Sequence, residues 1–139
     1  MPVEKSAGAV VFRQEDKKTY YLLLHYQSGH WDFPKGNIEK NEEPEETVRR
    51  EVREETGIND LEFVPGFKQT IKYFYKRDNK NFMKFVTFFL AQTQTQEVKI
   101  SWEHQGYKWL KYEDALEQLT FSNAKEILKK AGQFLSSKR

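Results

Sequence analysis

One segment, residues 44–56, constrains the fold of this chain more than any other part of the sequence. Pro44 suits the first position of a helix, because its ring fixes φ near a helical value and its missing N–H leaves no donor unsatisfied. Gly57 is a typical residue just beyond a helix C-terminus, where a left-handed conformation is common. The segment is therefore predicted to form a helix from residue 44 to residue 56.

The two halves of this predicted helix differ in how their charges are balanced. Glu45 and Glu46 in the first turn are favoured by the helix dipole, and each has an arginine four residues further on, Arg49 and Arg50. The acidic residues of the second half have no such partner in the local sequence. We therefore expect the first half to be balanced by its own residues and the second half to need a partner from outside the helix.

Three glutamates of the second half, Glu51, Glu54 and Glu55, are predicted to share one face with Val48 and Val52, because residues three and four apart are neighbours on a helix. Glu51 and Glu55 form a like-charge pair that costs about 0.2 to 0.5 kcal/mol. The helix C-terminus disfavours each nearby anion by a further ~0.3 to 1 kcal/mol. One interpretation is an ordinary solvated acidic face; the other is a functional site, where local rules are often broken.

A divalent cation would relieve this repulsion. Carboxylate oxygens without histidine or thiolate suit Mg²⁺ or Mn²⁺ better than zinc. Mg²⁺ keeps several of its waters and usually binds substrate phosphates as well as one or two carboxylates. The acidic cluster therefore predicts a metal-dependent protein with a phosphate-bearing substrate.

The rest of the chain carries mainly strand patterns. The predicted strands cover residues 6–13, 19–26, 61–75, 82–92 and 106–110, of which the first four form two β-hairpins. Residues 34–43 are rich in turn residues and are predicted to form a loop rather than a regular element. Two further helices are predicted over residues 113–119 and 123–135. Mixed strands with separated helical regions predict an α+β fold of the α/β/α sandwich type.

Composition limits the remaining possibilities. A chain of 139 residues without a linker-like stretch is expected to form one domain, residues 1–139. The absence of cysteine excludes disulfides and thiolate zinc sites, and a net charge of +2 gives no reason to expect a stable nucleic-acid partner. Because the N-terminus has no signal-like pattern and no stretch is apolar enough to span a membrane, we expect a soluble, cytoplasmic protein, a monomer or weak dimer.

Residues 36–58 match the signature of the Nudix hydrolase family, G-x5-E-x7-R-E-U-x-E-E-x-G-U, in which U is a bulky aliphatic residue. The matching residues are Gly36, Glu42, Arg50, Glu51, Val52, Glu54, Glu55, Gly57 and Ile58. The chain therefore resembles a Nudix hydrolase. The resemblance implies a mixed sheet with a loop–helix–loop and C-terminal helices, and hydrolysis of a nucleoside diphosphate linked to another group.

The resemblance also implies roles for residues of this box. Glu51 and Glu55 would bind the metal ion, and Glu54 would be either a ligand or the base that activates water. Arg50 would orient the carboxylates, and Glu42 would contribute weakly to the metal site. These roles fit the chemistry, because a metal ion spreads phosphoryl charge and makes bound water a better nucleophile, and a carboxylate accepts the proton.

Outside the box, the chain resembles one subgroup of the family, the asymmetric diadenosine tetraphosphate hydrolases. The similar segments are residues 30–36, 84–91 and 103–110. By this resemblance, His30, Lys35 and Lys84 would hold polyphosphate oxygens. The structural alternatives are that His30 is an ordinary surface residue and that the lysines only make the surface soluble.

The same resemblance implies that Tyr75 stacks on an adenine and that Glu103 is a further metal-site carboxylate or the general base. Tyr75 shares a predicted strand face with Ile71 and Tyr73, so a packed tyrosine is the alternative. Glu103 is otherwise a plain exposed acid. Phe121 is a candidate for a second aromatic ring that packs against the adenine, and its alignment with the subgroup is left open.

These expectations combine into a hypothesis: Mg²⁺- or Mn²⁺-dependent hydrolysis of diadenosine tetraphosphate to ATP and AMP. One alternative is a 5′-RNA pyrophosphohydrolase or another pyrophosphatase of nucleoside diphosphate compounds. A second is a non-catalytic nucleotide sensor that keeps the fold. The intact pair Glu54 and Glu55 argues against the sensor, because a pure binding module has no need of repelling carboxylates.

Overall fold

The computed structural model describes residues 1–138, which form seven strands and three helices. The strands are β1 (Val3–Glu15), β2 (Lys18–Tyr26), β3 (Trp31–Asp32), β4 (Lys35–Asn37), β5 (Glu62–Arg77), β6 (Lys80–Gln92) and β7 (His104–Leu110). The helices are α1 (Pro44–Thr56), α2 (Tyr112–Gln118) and α3 (Ser122–Ser137). Among these described residues, no helix has the length and apolar character needed to cross a membrane.

All seven strands belong to one mixed sheet with β1 at its centre. β1 pairs in parallel with β6 along residues 3–12, and antiparallel with β2 and β4 on its other side. β5 pairs with β6 at one edge of the sheet, and β7 and β3 pair with β2 towards the other. The chain between β1 and β6 contains helix α1, which packs against β1, the central strand of the sheet.

The two faces of the sheet are covered by different helices. Because successive side chains of a strand point to opposite faces, Val10 packs in the cluster with α2 and α3, and Val11 packs in the cluster with α1. α1 contributes the fully buried Val48 and Val52, and burial of each stabilises the fold by roughly 1.5 to 3 kcal/mol. The expected α/β/α sandwich is confirmed.

Helix α1 has the bounds that the sequence predicted. At its start, the Glu46 carboxylate accepts a hydrogen bond of 2.8 Å from the Glu43 backbone N–H, which closes a capping box before Pro44. At its end, Gly57 has a φ of 79° and its N–H donates to the Arg53 carbonyl at 2.9 Å. The left-handed conformation explains why glycine occupies this position.

The two hairpins are confirmed, but their turns are shorter than the sequence suggested. Each turn has two residues at positive φ, Asp16 and Lys17 in the first and Asp78 and Asn79 in the second. Two-residue turns of this kind match the right-handed twist of the strands that they connect. The strands therefore continue through polar residues that the sequence pattern placed in the connections.

One prediction about residues 34–43 is wrong. Residues Lys35–Asn37 form β4 and pair with Ser6, Ala7 and Gly8 of β1. The physical reason is that β2 pairs only with the C-terminal part of β1, which leaves the backbone of the earlier part free to bond another segment. The turn residues of this segment carry no signal for a three-residue strand.

Candidate active site

A cleft of about 450 Å³ opens where the C-terminal half of α1 meets β4, β6 and the loop before β7. Its acidic lining residues are Glu39, Glu51, Glu54, Glu55 and Glu103. Two ammonium groups, those of Lys35 and Lys84, line the same cleft. The structure thus brings together six of the candidate site residues that the sequence singled out, from four separate stretches of the chain.

Glu55 is the most unusual of these carboxyls. Its residue is only 4% exposed, and its Oε1 atom has no hydrogen-bond partner among the described residues. Burial, and then the nearby carboxylates of Glu51 and Glu103, raise the pKa of Glu55 to about 9. In the absence of a cation, this side chain is therefore a neutral acid near pH 7, although the ordinary glutamate is ionised there.

The Arg50 side chain binds Glu51 and Glu54, the two other glutamates of the acidic cluster, and it also binds the loop before α1. Its guanidinium donates to Glu42 Oε2 at 2.7 Å, to Glu51 Oε1 at 2.7 Å and to Glu54 Oε1 at 2.9 Å. It also donates to the Asn37 carbonyl at 3.0 Å. A planar group with several donors suits this task, because it bonds several oxygens in fixed directions. Arg50 lies in the position expected of a residue that orients the carboxylates.

These contacts correct two predictions about charge balance. Arg50 does not pair with Glu46, whose carboxylate caps the helix, and the second half of α1 has a local partner after all. Arg49 does not pair with Glu45 in the described part of the chain; it donates to the Leu61 carbonyl at 2.9 Å and lies over the Phe63 ring. The i, i+4 spacing permits an ion pair, but nearby tertiary partners compete for both arginines.

Gly36 shows how tightly the loop approaches the helix. A Cβ atom at this position would overlap the carboxyl group of Glu51. Gly36 lies in β4, which is fixed to β1, so the backbone cannot move away without breaking that pairing. A side chain at this position would therefore displace the Glu51 carboxyl group from its contact with Arg50, which glycine avoids.

The donor set fits a hard divalent cation that a phosphate ligand helps to hold. Nudix hydrolases in general use divalent metal ions. Within residues 1–138, no three acidic or histidine side chains converge into a complete metal site, and Glu51 and Glu54 are bound by Arg50. Mg²⁺ needs only one or two protein carboxylates and completes its shell with water and phosphate oxygens. The unsatisfied Glu55 oxygen lies in the same cleft and provides one such ligand.

The two lysines of the cleft differ in how free they are. Lys35 Nζ lies 2.9 Å from Oδ2 of the buried Asp32, which fixes its position. Lys84 is half-buried, and no acidic side chain of residues 1–138 lies within 4 Å of it. Burial, and then the charge of Lys35, lower the pKa of Lys84. An unpaired ammonium group beside carboxylates is suited to an anionic ligand such as phosphate.

Comparison with known proteins identifies the family. The family model described as the NUDIX domain matches residues 3–131. The chain belongs to the Nudix family. It is 34% identical to the asymmetrical bis(5′-nucleosyl)-tetraphosphatase of Mus musculus, over 96% of each chain. The fold matches the crystal structure of a Caenorhabditis elegans Ap4A hydrolase binary complex with a TM-score of 0.85 and 31% identity, covering 96% of this chain and 98% of the other.

A second group of Nudix relatives is more distant. The RNA pyrophosphohydrolase of Nitratiruptor is 31% identical over 120 residues, which is 75% of this chain and 77% of that protein. The resemblance to asymmetric diadenosine tetraphosphate hydrolases therefore extends further along the chain than the resemblance to this RNA enzyme. It includes the segments before and after the box from which several candidate residues come.

Of the candidate residues that the subgroup resemblance suggests, His30, Tyr75 and Phe121 lie outside the cleft lining. His30 stacks on Tyr26 with ring centroids 4.7 Å apart, and its other side contacts Phe121 at 5.2 Å. Tyr75 stacks on Phe82 at 5.2 Å, further out along the β5–β6 hairpin. Tyr73 packs against the core beside α3, but Tyr75 does not belong to that core cluster. Of these two tyrosines, Tyr73 is therefore the one that packs against the core.

Two residues that sequence reasoning missed are Tyr26 and His104. Tyr26 lines the cleft and donates its hydroxyl proton to the Phe33 carbonyl at 2.7 Å. His104 is buried beneath Tyr26, with ring centroids 4.5 Å apart. The one signal for His104 was its position next to Glu103, and a single sequence does not show that a histidine is buried.

A larger cleft, of about 1040 Å³, lies between the β1–β2 turn and α3. Four lysines line it, Lys17, Lys18, Lys111 and Lys138, and none of the candidate residues does. Size alone is therefore a poor guide to the site in this protein. The smaller cleft is the candidate active site because it combines a buried acid, Glu55, with the unpaired ammonium group of Lys84.

Proposed function

We propose that this protein hydrolyses diadenosine tetraphosphate to ATP and AMP with Mg²⁺ or Mn²⁺ as cofactor. The observation that carries the proposal is a single cleft that contains a buried, unsatisfied carboxyl, Glu55, and two ammonium groups, Lys35 and Lys84. Carboxylates attract a divalent ion, and ammonium groups attract a polyphosphate chain. The similarity to asymmetrical tetraphosphatases over nearly the whole chain supports this choice of polyphosphate.

In this proposal, Glu51, Glu54 and Glu55 hold the metal ion, which when bound spreads the charge of the phosphoryl oxygens and makes water a better nucleophile. Arg50 keeps the carboxylates of Glu51 and Glu54 directed at the cleft. Lys84 binds a phosphate oxygen directly. Lys35 remains paired with Asp32 and presents its other donors to the substrate.

Glu54 and Glu103 are the candidate general bases, because both are exposed and line the cleft. Water attacks the phosphorus that is furthest from one adenosine, and its proton passes to the carboxylate. The bond between the third and fourth phosphates breaks, its electron pair leaves with ATP, and the attacking oxygen remains on AMP. A pH–rate profile that loses its acidic limb in Glu54→Gln or in Glu103→Gln identifies the base.

The adenosine contacts are proposed further from the metal site. Tyr75 stacks on an adenine and extends the Tyr75–Phe82 pair by one more ring. His30, held between Tyr26 and Phe121, contacts a polyphosphate oxygen with its ring nitrogen. Burial, the largest influence, lowers the pKa of His30, so the ring is neutral at pH 7 and binds as a hydrogen-bond donor rather than as a charge.

The direct test is incubation of the pure protein with diadenosine tetraphosphate and Mg²⁺, followed by chromatography of the nucleotides. The expected products are ATP and AMP in equal amounts. Two molecules of ADP, or no product, would overturn the substrate assignment. Hydrolysis in water labelled with ¹⁸O then shows which product carries the new oxygen.

A second candidate substrate is RNA with a 5′-triphosphate, and the similarity to an RNA pyrophosphohydrolase favours it. The same carboxylates and lysines would act on either polyphosphate. A side-by-side assay of both substrates decides between them, through the ratio of their kcat/KM values. A third candidate, a non-catalytic nucleotide sensor, predicts nucleotide binding without turnover in the unaltered protein, whereas the enzyme predicts this only for Glu55→Gln.

A further inference from the structure

Two buried polar side chains meet beneath the carboxylate cleft, Glu55 on α1 and His104 at the start of β7. His104 Nε2 lies 3.9 Å from Glu55 Oε2, and the two side chains are 0% and 5% exposed. His104 Nε2 and Glu55 Oε1 are two of the three buried side-chain atoms without a hydrogen-bond partner in the described residues. An unsatisfied buried polar atom destabilises the fold, so this pair is an unfavourable arrangement.

The contacts of Ser101 suit one tautomer of His104. Ser101 Oγ accepts a hydrogen bond from the Glu103 backbone N–H at 3.3 Å, and its own proton is available for a second group. His104 Nδ1 lies 3.1 Å from this hydroxyl. When Nδ1 accepts the hydroxyl proton, the ring proton is on Nε2, the atom that lies next to Glu55.

The loop that carries His104 is anchored to the same turn of α1. The Ser101 N–H donates to the Glu55 carbonyl at 3.2 Å, and the Lys99 N–H donates to the Thr56 carbonyl at 2.9 Å. These bonds satisfy carbonyls at the end of the helix, where no intrahelical donor is available. The backbone of Glu55 and the ring of His104 are thus held in one rigid unit.

We propose that His104 is a positioning residue for Glu55: its Nε2–H donates to one carboxylate oxygen and leaves the other for a divalent cation. At 3.9 Å the contact is longer than a hydrogen bond, so the proposal requires the Glu55 side chain to rotate towards the ring when the cation binds. Partners of this kind commonly orient the groups that bind a metal ion. The inference rests on the proposed function, because it assigns His104 a role only if Glu55 binds the ion.

Two conservative variants separate positioning from packing. His104→Gln keeps an amide N–H near the position of Nε2, whereas His104→Asn keeps one near Nδ1 and removes the donor next to Glu55 Oε2. We expect His104→Asn to weaken Mn²⁺ binding, measured by electron paramagnetic resonance, by about tenfold. His104→Gln is expected to stay close to the unaltered protein. Equal affinity in His104→Asn and the unaltered protein, or equal loss in both variants, would overturn the inference.

A matched control and a double variant complete the experiment. His25 stacks on Trp31 and lies outside the cleft lining, so His25→Asn is expected to bind Mn²⁺ normally. In a Glu55→Gln background, His104→Asn should weaken Mn²⁺ binding no further, because its effect passes through Glu55. A tenfold loss that persists in that background contradicts the inference.

Failure of the proposed function has a different signature. If the unaltered protein binds no Mn²⁺, the metal site and the role of His104 are both overturned. If the unaltered protein binds Mn²⁺ and His104→Asn binds it equally well while remaining folded by thermal unfolding, the role of His104 alone is overturned.

Discussion

Glu42 lies in the loop just before helix α1 and Glu55 lies in its last turn, and their carboxyl groups are in opposite environments. Glu42 accepts hydrogen bonds from Arg50, from the Glu39 backbone N–H and from the Thr47 hydroxyl, which lower its pKa to about 2. Glu55 is buried, and its Oε1 atom has no partner within residues 1–138. Burial and neighbouring carboxylates raise its pKa to about 9. The same residue type is a satisfied anion at one end and a neutral acid at the other.

This difference indicates that the start and the end of helix α1 have different functions. The start of the helix is complete, because its loop, its cap and Arg50 satisfy one another. The end of the helix is incomplete, and a divalent cation is the partner that would allow Glu55 to ionise. Buried groups of this kind cost stability and concentrate at functional sites.

The largest expected effect is on catalysis. Glu55→Gln keeps the shape of the side chain but removes the proposed metal ligand. We therefore expect kcat/KM for diadenosine tetraphosphate to fall by more than about a hundredfold. Loss of a residue that only orients a metal ligand typically costs up to about a hundredfold. Steady-state kinetics at saturating Mg²⁺ measures it. Glu45→Gln, on the same helix and outside the cleft lining, is the control and should keep full activity. Comparable activity in both variants contradicts the contrast between the helix ends.

The next effect is on stability without metal. The pKa of Glu55 is raised above its unfolded value, so its protonated form favours folding below about pH 4.5 and this contribution is lost as pH rises towards 9. Glu55→Gln cannot ionise and escapes this loss. We expect the variant to be more stable than the unaltered protein by up to about 5 kcal/mol at pH 8 and by almost nothing at pH 4. Urea unfolding in chelator at both pH values measures the difference; a gap independent of pH would exclude the ionisation of Glu55 as its cause.

Arg50 connects the two ends, and its replacement tests that connection. A lysine carries one compact charge and cannot bond Glu42, Glu51 and Glu54 together. We expect Arg50→Lys to lower kcat/KM by about tenfold. Arg49→Lys is the matched control, because Arg49 contacts Leu61 and Phe63 instead, and it should lose stability but not activity. Equal activity losses in the two variants would show that Arg50 has no special role.

The smallest expected effect concerns Glu42. Its pKa is lowered, so its ionised form contributes stability above the unfolded pKa of about 4.5, and the contribution is lost as pH falls towards 2. We expect Glu42→Gln to be less stable than the unaltered protein at pH 7 and equal to it near pH 2. Thermal unfolding across this range tests the sign, which is opposite to that of Glu55→Gln. A stability change of the same sign in both variants would contradict the difference between Glu42 and Glu55.

The fold was largely predictable because its signals are local. Pro44 and Gly57 mark the two ends of α1 by backbone chemistry that acts within a few residues. The short strand β4 was not predictable, because it forms only where β2 leaves β1 unpaired, and the position of that unpaired stretch depends on strand register. Local sequence patterns predict individual helices and strands well, but they do not predict which strands pair with each other.

The candidate site was predictable as a set of residues but not as a set of contacts. The spacing of Glu51, Glu54 and Glu55 follows from the helix, and the cleft contains all three. The partners of Arg50 could not be predicted, because Glu42 reaches it from a loop whose path depends on Gly36 passing over Glu51. The role of a buried histidine likewise requires knowledge of what surrounds it.

The unfavourable burial of Glu55 is tested most directly by counting protons as the metal ion binds. Calorimetric titration with Mn²⁺ at pH 7.5, in buffers of different ionisation enthalpy, gives the number of protons released. We predict release of about one proton per ion from the unaltered protein, because Glu55 must ionise, and almost none from Glu55→Gln. Mn²⁺ binding without proton release, or with equal release from both proteins, would contradict the account.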